Sequence, residues 1–143
     1  MAESNDRRPS ADALLELVAN EKRGKLKIFI GASPGVGKTY AMLTGAKHLL
    51  GEGKDVIIGV VETHGRTETT ALLDGLEVLP RKATTYRGHA LMEFDLDAAL
   101  ARKPALIIVD ELAHTNAPGS RHTKRYQDVE ELLSAGINVW TAL

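Results

Sequence analysis

Between a short apolar run, Leu26 to Ile30, and a stretch of helical spacing, Thr39 to Leu50, the chain reads Gly31-Ala-Ser-Pro-Gly-Val-Gly-Lys-Thr39. Closely spaced glycines let a backbone curl until successive N–H groups point at one centre. The helix that follows aims the positive end of its dipole at the same point. Strand, loop and helix in that order are the setting in which this Walker A pattern binds phosphate. The predicted nucleotide-contacting set is Ala32, Ser33, Pro34, Gly35, Val36, Gly37, Lys38, Thr39 and Tyr40. Lys38 offers a point charge to the β- and γ-phosphates, and the Thr39 hydroxyl can ligate Mg²⁺, so ATP and Mg²⁺ are the expected cofactors. Ala32 stands where the usual pattern has its first glycine, with Gly31 one residue earlier. The plainer reading is a Gly-rich turn that only starts a helix.

The second signal is Leu106-Ile-Ile-Val-Asp110-Glu111, an apolar strand ending in two carboxylates, the Walker B pattern. Asp110 would hold the Mg²⁺ shell, and Glu111 occupies the place of a base that polarises the attacking water. Taken alone, a strand ended by an acidic turn is common. Two further loops should reach the same carboxyl edge of the sheet, where ligands bind. In Glu62-Thr-His-Gly-Arg66, Glu62 can orient water or a metal and Arg66 can reach phosphate. In His114-Thr-Asn116-Ala-Pro-Gly-Ser-Arg121-His122, His114 or Asn116 can sense a γ-phosphate and Arg121 can act across an interface. Ordinary polar turns are the competing reading for both.

Strands alternate with helices along the chain, which predicts an α/β fold with a parallel sheet wrapped by helices. Ser10 is placed to cap a helix carrying Leu14, Leu15, Leu17 and Val18 on one face. Buried strands are expected at Leu26 to Ile30 and Val56 to Val61, a further apolar one at Ala105 to Val109, a final one at Ile137 to Leu143, and a weaker one at Ala83 to Tyr86. Thr67 is expected to cap a helix through Leu76, and Asp95 one through Ala101. A helix from Lys124 to Ser134 should turn its charges, as far as Glu131, to solvent. The expected organisation is a flexible tail and short helix over residues 1–24, then a P-loop domain over 25–143 that runs off its end in a strand. The Asp110-Glu111 pair favours the RecA-like branch, with another strand between the two motif strands.

Composition excludes several classes. At 143 residues and 15.4 kDa the chain suits one domain. Its 18 basic and 19 acidic residues leave a net charge of −1, which gives no electrostatic drive toward nucleic acid or an anionic membrane. Aromatic residues are only 4%, too few to stack single-stranded bases. The chain has no cysteine, which removes disulfides, thiolate metal sites and thiol nucleophiles and fits a reducing compartment. Its five histidines lack zinc-ligand spacing.

Gly31 to Leu43, Val61 to Arg66 and Val109 to His122, taken together and in order, resemble the N-terminal domain of the KdpD family of bacterial sensor kinases. The resemblance runs from about Lys25 onward. It implies a regulatory ATP-binding domain on the cytoplasmic face of an inner-membrane protein that governs high-affinity potassium uptake. It also implies downstream domains ending in a homodimeric histidine-kinase core, with a cognate response regulator as partner. The phosphorylated histidine would lie in that core, so none of the histidines present here is its equivalent. The family's Walker A assignment falls on Ala32 to Thr39 and its Walker B assignment on Leu106 to Asp110. The residues themselves leave two rivals open: a RecA-like transferase or ATPase acting on its own substrate, and an ATPase that moves nucleic acid, which charge and composition disfavour.

Overall fold

In the computed structural model, residues 10–31 and 36–143 are described, so Ala32, Ser33, Pro34 and Gly35 of the expected phosphate loop lie outside the described residues, as does the tail before Ser10. The elements run α1 (Ala11–Lys22), β1 (Leu26–Phe29), α2 (Val36–Gly51), β2 (Val56–Val60), α3 (Thr67–Ala71), β3 (Glu77–Val78), β4 (Lys82–Tyr86), β5 (His89–Glu93), α4 (Leu96–Arg102), β6 (Leu106–Val109), α5 (Arg125–Ser134) and β7 (Asn138–Ala142). Five strands form one parallel sheet in the order β1-β7-β6-β2-β3, and β4 pairs with β5 in a separate antiparallel hairpin. The last strand, β7, thus sits between β1 and β6, with Leu26 opposite Val139 and Leu106 opposite Asn138.

Strands β2 and β6 carry no polar side chain and are buried at every position, as strands covered on both faces must be. Ile57, Ile107 and Val139 point into one core with Val129, Leu132 and Leu133 of α5 and Leu96 and Ala99 of α4. Val56, Ile58, Leu106 and Ile108 point into the other, with Met42, Leu43 and Ala46 of α2. Gly59 is required by this packing: a Cβ there would lie 2.6 Å from the Phe94 ring and 2.9 Å from Ile107. Arg102 closes α4 and grips the starts of β2 and β3, with two 2.7 Å bonds to Asp55 and two of 3.0 Å to Glu77. Hydrogen bonds from that guanidinium hold both carboxyls below their ordinary range.

Several expectations change on contact with the structure. The first strand is not buried: β1 lies at the sheet edge, with Leu26 42% and Ile28 38% exposed. Leu14 and Leu15 of α1 are likewise exposed, although Ser10 does cap that helix, accepting the Ala13 N–H at 3.1 Å. Arg66, not Thr67, is the N-cap of α3, and that helix ends at Ala71, five residues short of Leu76. The weak strand at Ala83 to Tyr86 is one arm of a hairpin, turned by Arg87 and Gly88, whose φ values of 50° and 77° suit the twist of a two-residue loop. On α5 the charges do not all face water, since Arg125 and Asp128 are buried. Asp95 caps α4 as expected, accepting the Ala98 N–H at 3.0 Å. Among the described residues no helix is long and apolar enough to cross a membrane.

Candidate functional site

Parallel strands all present their carboxyl ends to one edge, and there β6 delivers Asp110, β2 delivers Glu62, and the helix that follows β1 delivers Lys38 and Thr39. A cavity of about 180 Å³ at this edge is lined by Lys38, Thr39, His64, Asp110, Glu111, Ala142 and Leu143. Thr39 and Asp110 are both buried, at 6% and 4% exposed. The Asp110 carboxylate is aimed by two backbone donors, the N–H of Glu62 at 3.1 Å and of Glu111 at 2.9 Å. Each oxygen accepts one of these bonds among the described residues, and a hydroxyl and a carboxylate lining one cavity are the hard-oxygen set that suits Mg²⁺. Lys38 Nζ donates to the carbonyl of Leu143.

Glu111 follows with φ of 56°, a left-handed conformation that a non-glycine residue holds only when its surroundings impose it. The next turn is pinned by the Leu112 N–H on the Ala142 carbonyl at 2.9 Å and the His114 N–H on the Glu111 carbonyl at 3.0 Å. On the other side of Asp110 and Glu111 opens a second cavity of about 220 Å³, lined also by Glu62, Arg81, Met92, Glu93, His114 and Arg125. The Glu93 carboxylate lies 3.0 Å from His114 Nε2 and 3.4 Å from Arg125, and it accepts the Ala117 N–H at 2.5 Å. Burial draws the Arg125 guanidinium below the usual arginine range, against the pull of Glu93 and Glu111.

Lys38, Thr39, Glu62, Asp110, Glu111 and His114 therefore come together around two adjoining cavities. The other candidates do not join them. Asn116 spends its amide inside its own loop and on α5, donating to the His122 carbonyl at 3.0 Å and to Asp128 at 2.9 Å. Arg121 bridges Asp97 at 2.9 Å and Glu131 at 3.0 Å. Arg66 is exposed and lines neither cavity, and Tyr40 is exposed on α2. Sequence reasoning passed over Glu93, Arg125 and His64. Arg125 had a signal: with Val129 and Leu132 it falls at helical spacing on the stripe that faces the core. Glu93 had none, because only the tertiary fold brings it to His114.

A family model described as KdpD, the osmosensitive K⁺ channel His kinase sensor domain, matches residues 22–143. The sensor protein KdpD of Escherichia coli is 63% identical over 136 residues, which is 95% of this chain and 15% of that protein. The sensor protein KdpD of Clostridium acetobutylicum is 56% identical over 124 residues, 87% of this chain and 14% of the relative. A putative sensor protein KdpD of Synechocystis is 55% identical over 122 residues, 85% of this chain and 33% of its own length. The chain thus spans a third or less of each of these relatives.

Proposed function

Because the chain belongs to the KdpD family of osmosensitive K⁺ channel histidine-kinase sensor domains, we propose that residues 25–143 are a P-loop module that binds Mg·ATP and regulates a potassium-responsive two-component sensor kinase. One observation carries this reading: Lys38 and Thr39 share a cavity with Asp110 and Glu111 at the carboxyl edge of a parallel sheet. The strand order supports a RecA-like core, since β7 separates the strand before the phosphate loop from the strand that ends in Asp110.

In this reading Lys38 neutralises the β- and γ-phosphates, while the backbone of the 32–37 stretch and the start of α2 cradle them. Thr39 Oγ1 and the Asp110 carboxylate would hold Mg²⁺, which screens phosphate charge. Glu111 lines this cavity and Glu62 the adjoining one, and these two are the groups able to orient a water. The rest of the parent protein would supply the inner-membrane anchor, the homodimeric kinase core and the contact with a response regulator, with this module on the cytoplasmic face. No nucleic-acid or membrane contact is assigned to the module itself. A second reading, a transferase or ATPase acting on its own substrate, draws on the 220 Å³ cavity that shares Asp110 and Glu111.

Calorimetric titration with Mg·ATP separates the two. Heat that saturates and stops supports a nucleotide sensor. Heat that persists after each injection means turnover and favours the second reading. Lys38→Ala is expected to abolish binding with an unchanged circular-dichroism spectrum, and retained affinity in that variant overturns the phosphate-loop assignment.

A further inference from the structure

The β4–β5 hairpin shares no ladder with the main sheet, yet its last residue is wired to the carboxylate turn at the sheet's edge. Glu93 ends β5 and gathers the Ala117 N–H, His114 Nε2 and Arg125 Nη2 around one carboxylate. Arg125 opens α5, is 3% exposed, and donates Nη1 to the Asp110 carbonyl at 3.0 Å. Its backbone N–H reaches the His114 carbonyl, also at 3.0 Å. The guanidinium therefore touches the metal-carboxylate residue on one side and the hairpin on the other. As a stabilising device such a pair is poor, because apolar residues of the same volume do as well in a core. Arg125 Nε even lacks a hydrogen-bond partner among the described residues. What the pair does supply is position.

We propose that Arg125 and Glu93 are positioning residues that set the Asp110–Glu111 turn, and that through them the β4–β5 hairpin responds to Mg·ATP. This rests on the nucleotide-site reading above. The Asp110 carboxylate is held by two backbone N–H groups and its carbonyl by Arg125, so the residue is clamped at both ends. Engagement of the carboxylate by a metal's hydration shell shifts the clamp. The shift passes through the Arg125 guanidinium, with His114 as a second link, to the strand end at Glu93. The hairpin leaves Tyr86 beside its turn and Met92 at the rim of the second cavity exposed to solvent.

The test is hydrogen exchange of the amides of residues 82–93 with and without saturating Mg·ATP, in the unmodified chain, Glu93→Gln and Arg125→Lys. ATP affinity is measured alongside, with Mg²⁺ and with EDTA. In the unmodified chain hairpin exchange should change on Mg·ATP binding. In the variants, affinity in EDTA should match the unmodified chain, the gain from Mg²⁺ should fall about ten- to hundred-fold, and the hairpin response should vanish. A buried pair that only stabilises the fold would lower the melting temperature without moving that Mg²⁺ ratio. Unaltered Mg²⁺ gain and hairpin response in both variants overturns the inference, and so does an unmodified chain that binds Mg·ATP with no change at residues 82–93. If the unmodified chain binds no nucleotide at all, the site reading falls first and this one with it. Glu93→Gln is nearly isosteric and carries the test if Arg125→Lys does not fold; Trp140, the only tryptophan, reports folding in each variant.

Discussion

Asp128 shows how one side chain can be tuned by its place on a helix. It sits on the buried face of α5, and burial raises its pKa from 3.8, while the Asn116 amide, His122, Arg125 and Arg121 pull the other way. A carboxyl whose folded value is raised holds its proton longer in the native state than in the unfolded chain. Its ionisation therefore costs no stability below pH 3.8 and the full penalty once the pH exceeds the folded value. Asp128→Asn removes that slope. Thermal melts from pH 3 to pH 7 should show the variant gaining on the unmodified chain as the pH rises, whereas a difference constant across that range would mean the charge is immaterial there. The same residue shows why part of the site was hidden in the sequence. Arg125 and Asp128 read as solvent charges because neither has an apolar side chain; the spacing of Arg125 with Val129 and Leu132 is a signal for the first, and the packing of α5 on the sheet shows that both face inward.

At the level of elements, local chemistry was legible at Ser10 and Asp95, which cap their own helices, though not at Thr67. Asp95 announces the start of α4, and the unbroken apolar runs of β2 and β6 announce strands covered twice over. Asp95→Ala should cost about 1 kcal/mol, read as a lower melting temperature by calorimetry; a shift near zero would mean that the left-handed Lys103 cap and the Arg102 grip alone define the helix. Elements that depend on distant partners were not legible. The run Leu26 to Ile30 looks as buried as β2, but pattern cannot tell a central strand from an edge. The short α3 and the β4–β5 hairpin are set by the turns at 72–75 and 87–88, whose chemistry carries no apolar period. Asp110 stood out as the carboxylate that ends an apolar run, and Glu62 because topology sends every parallel strand to the same edge.

For the molecule as a whole, the exposed edge of β1 is the main liability. Leu26 and Ile28 stand beside a strand whose outer backbone groups have no ladder partner among the described residues. An apolar edge of that kind recruits other strands. Ile28→Lys should reduce concentration-dependent association in sedimentation at little cost to the melting temperature; unchanged association would place the contact elsewhere, with exposed Leu14 and Leu15 of α1 the next surface to alter. The insertion of β7 between β1 and β6 also bears on synthesis. Lys25 and Asn138, joined by a 2.8 Å bond at the start of that pairing, are 113 residues apart in the chain. A growing polypeptide can pair β2 with β6 while still on the ribosome, but β1 must wait for the last strand to emerge. Until then the cavity lacks Ala142 and Leu143, which line it beside Lys38 and Asp110, so its wall closes only when translation has passed residue 143. On the proposed reading of that cavity, ribosomes stalled short of β7 should carry chains that bind nucleotide far more weakly than chains that include it.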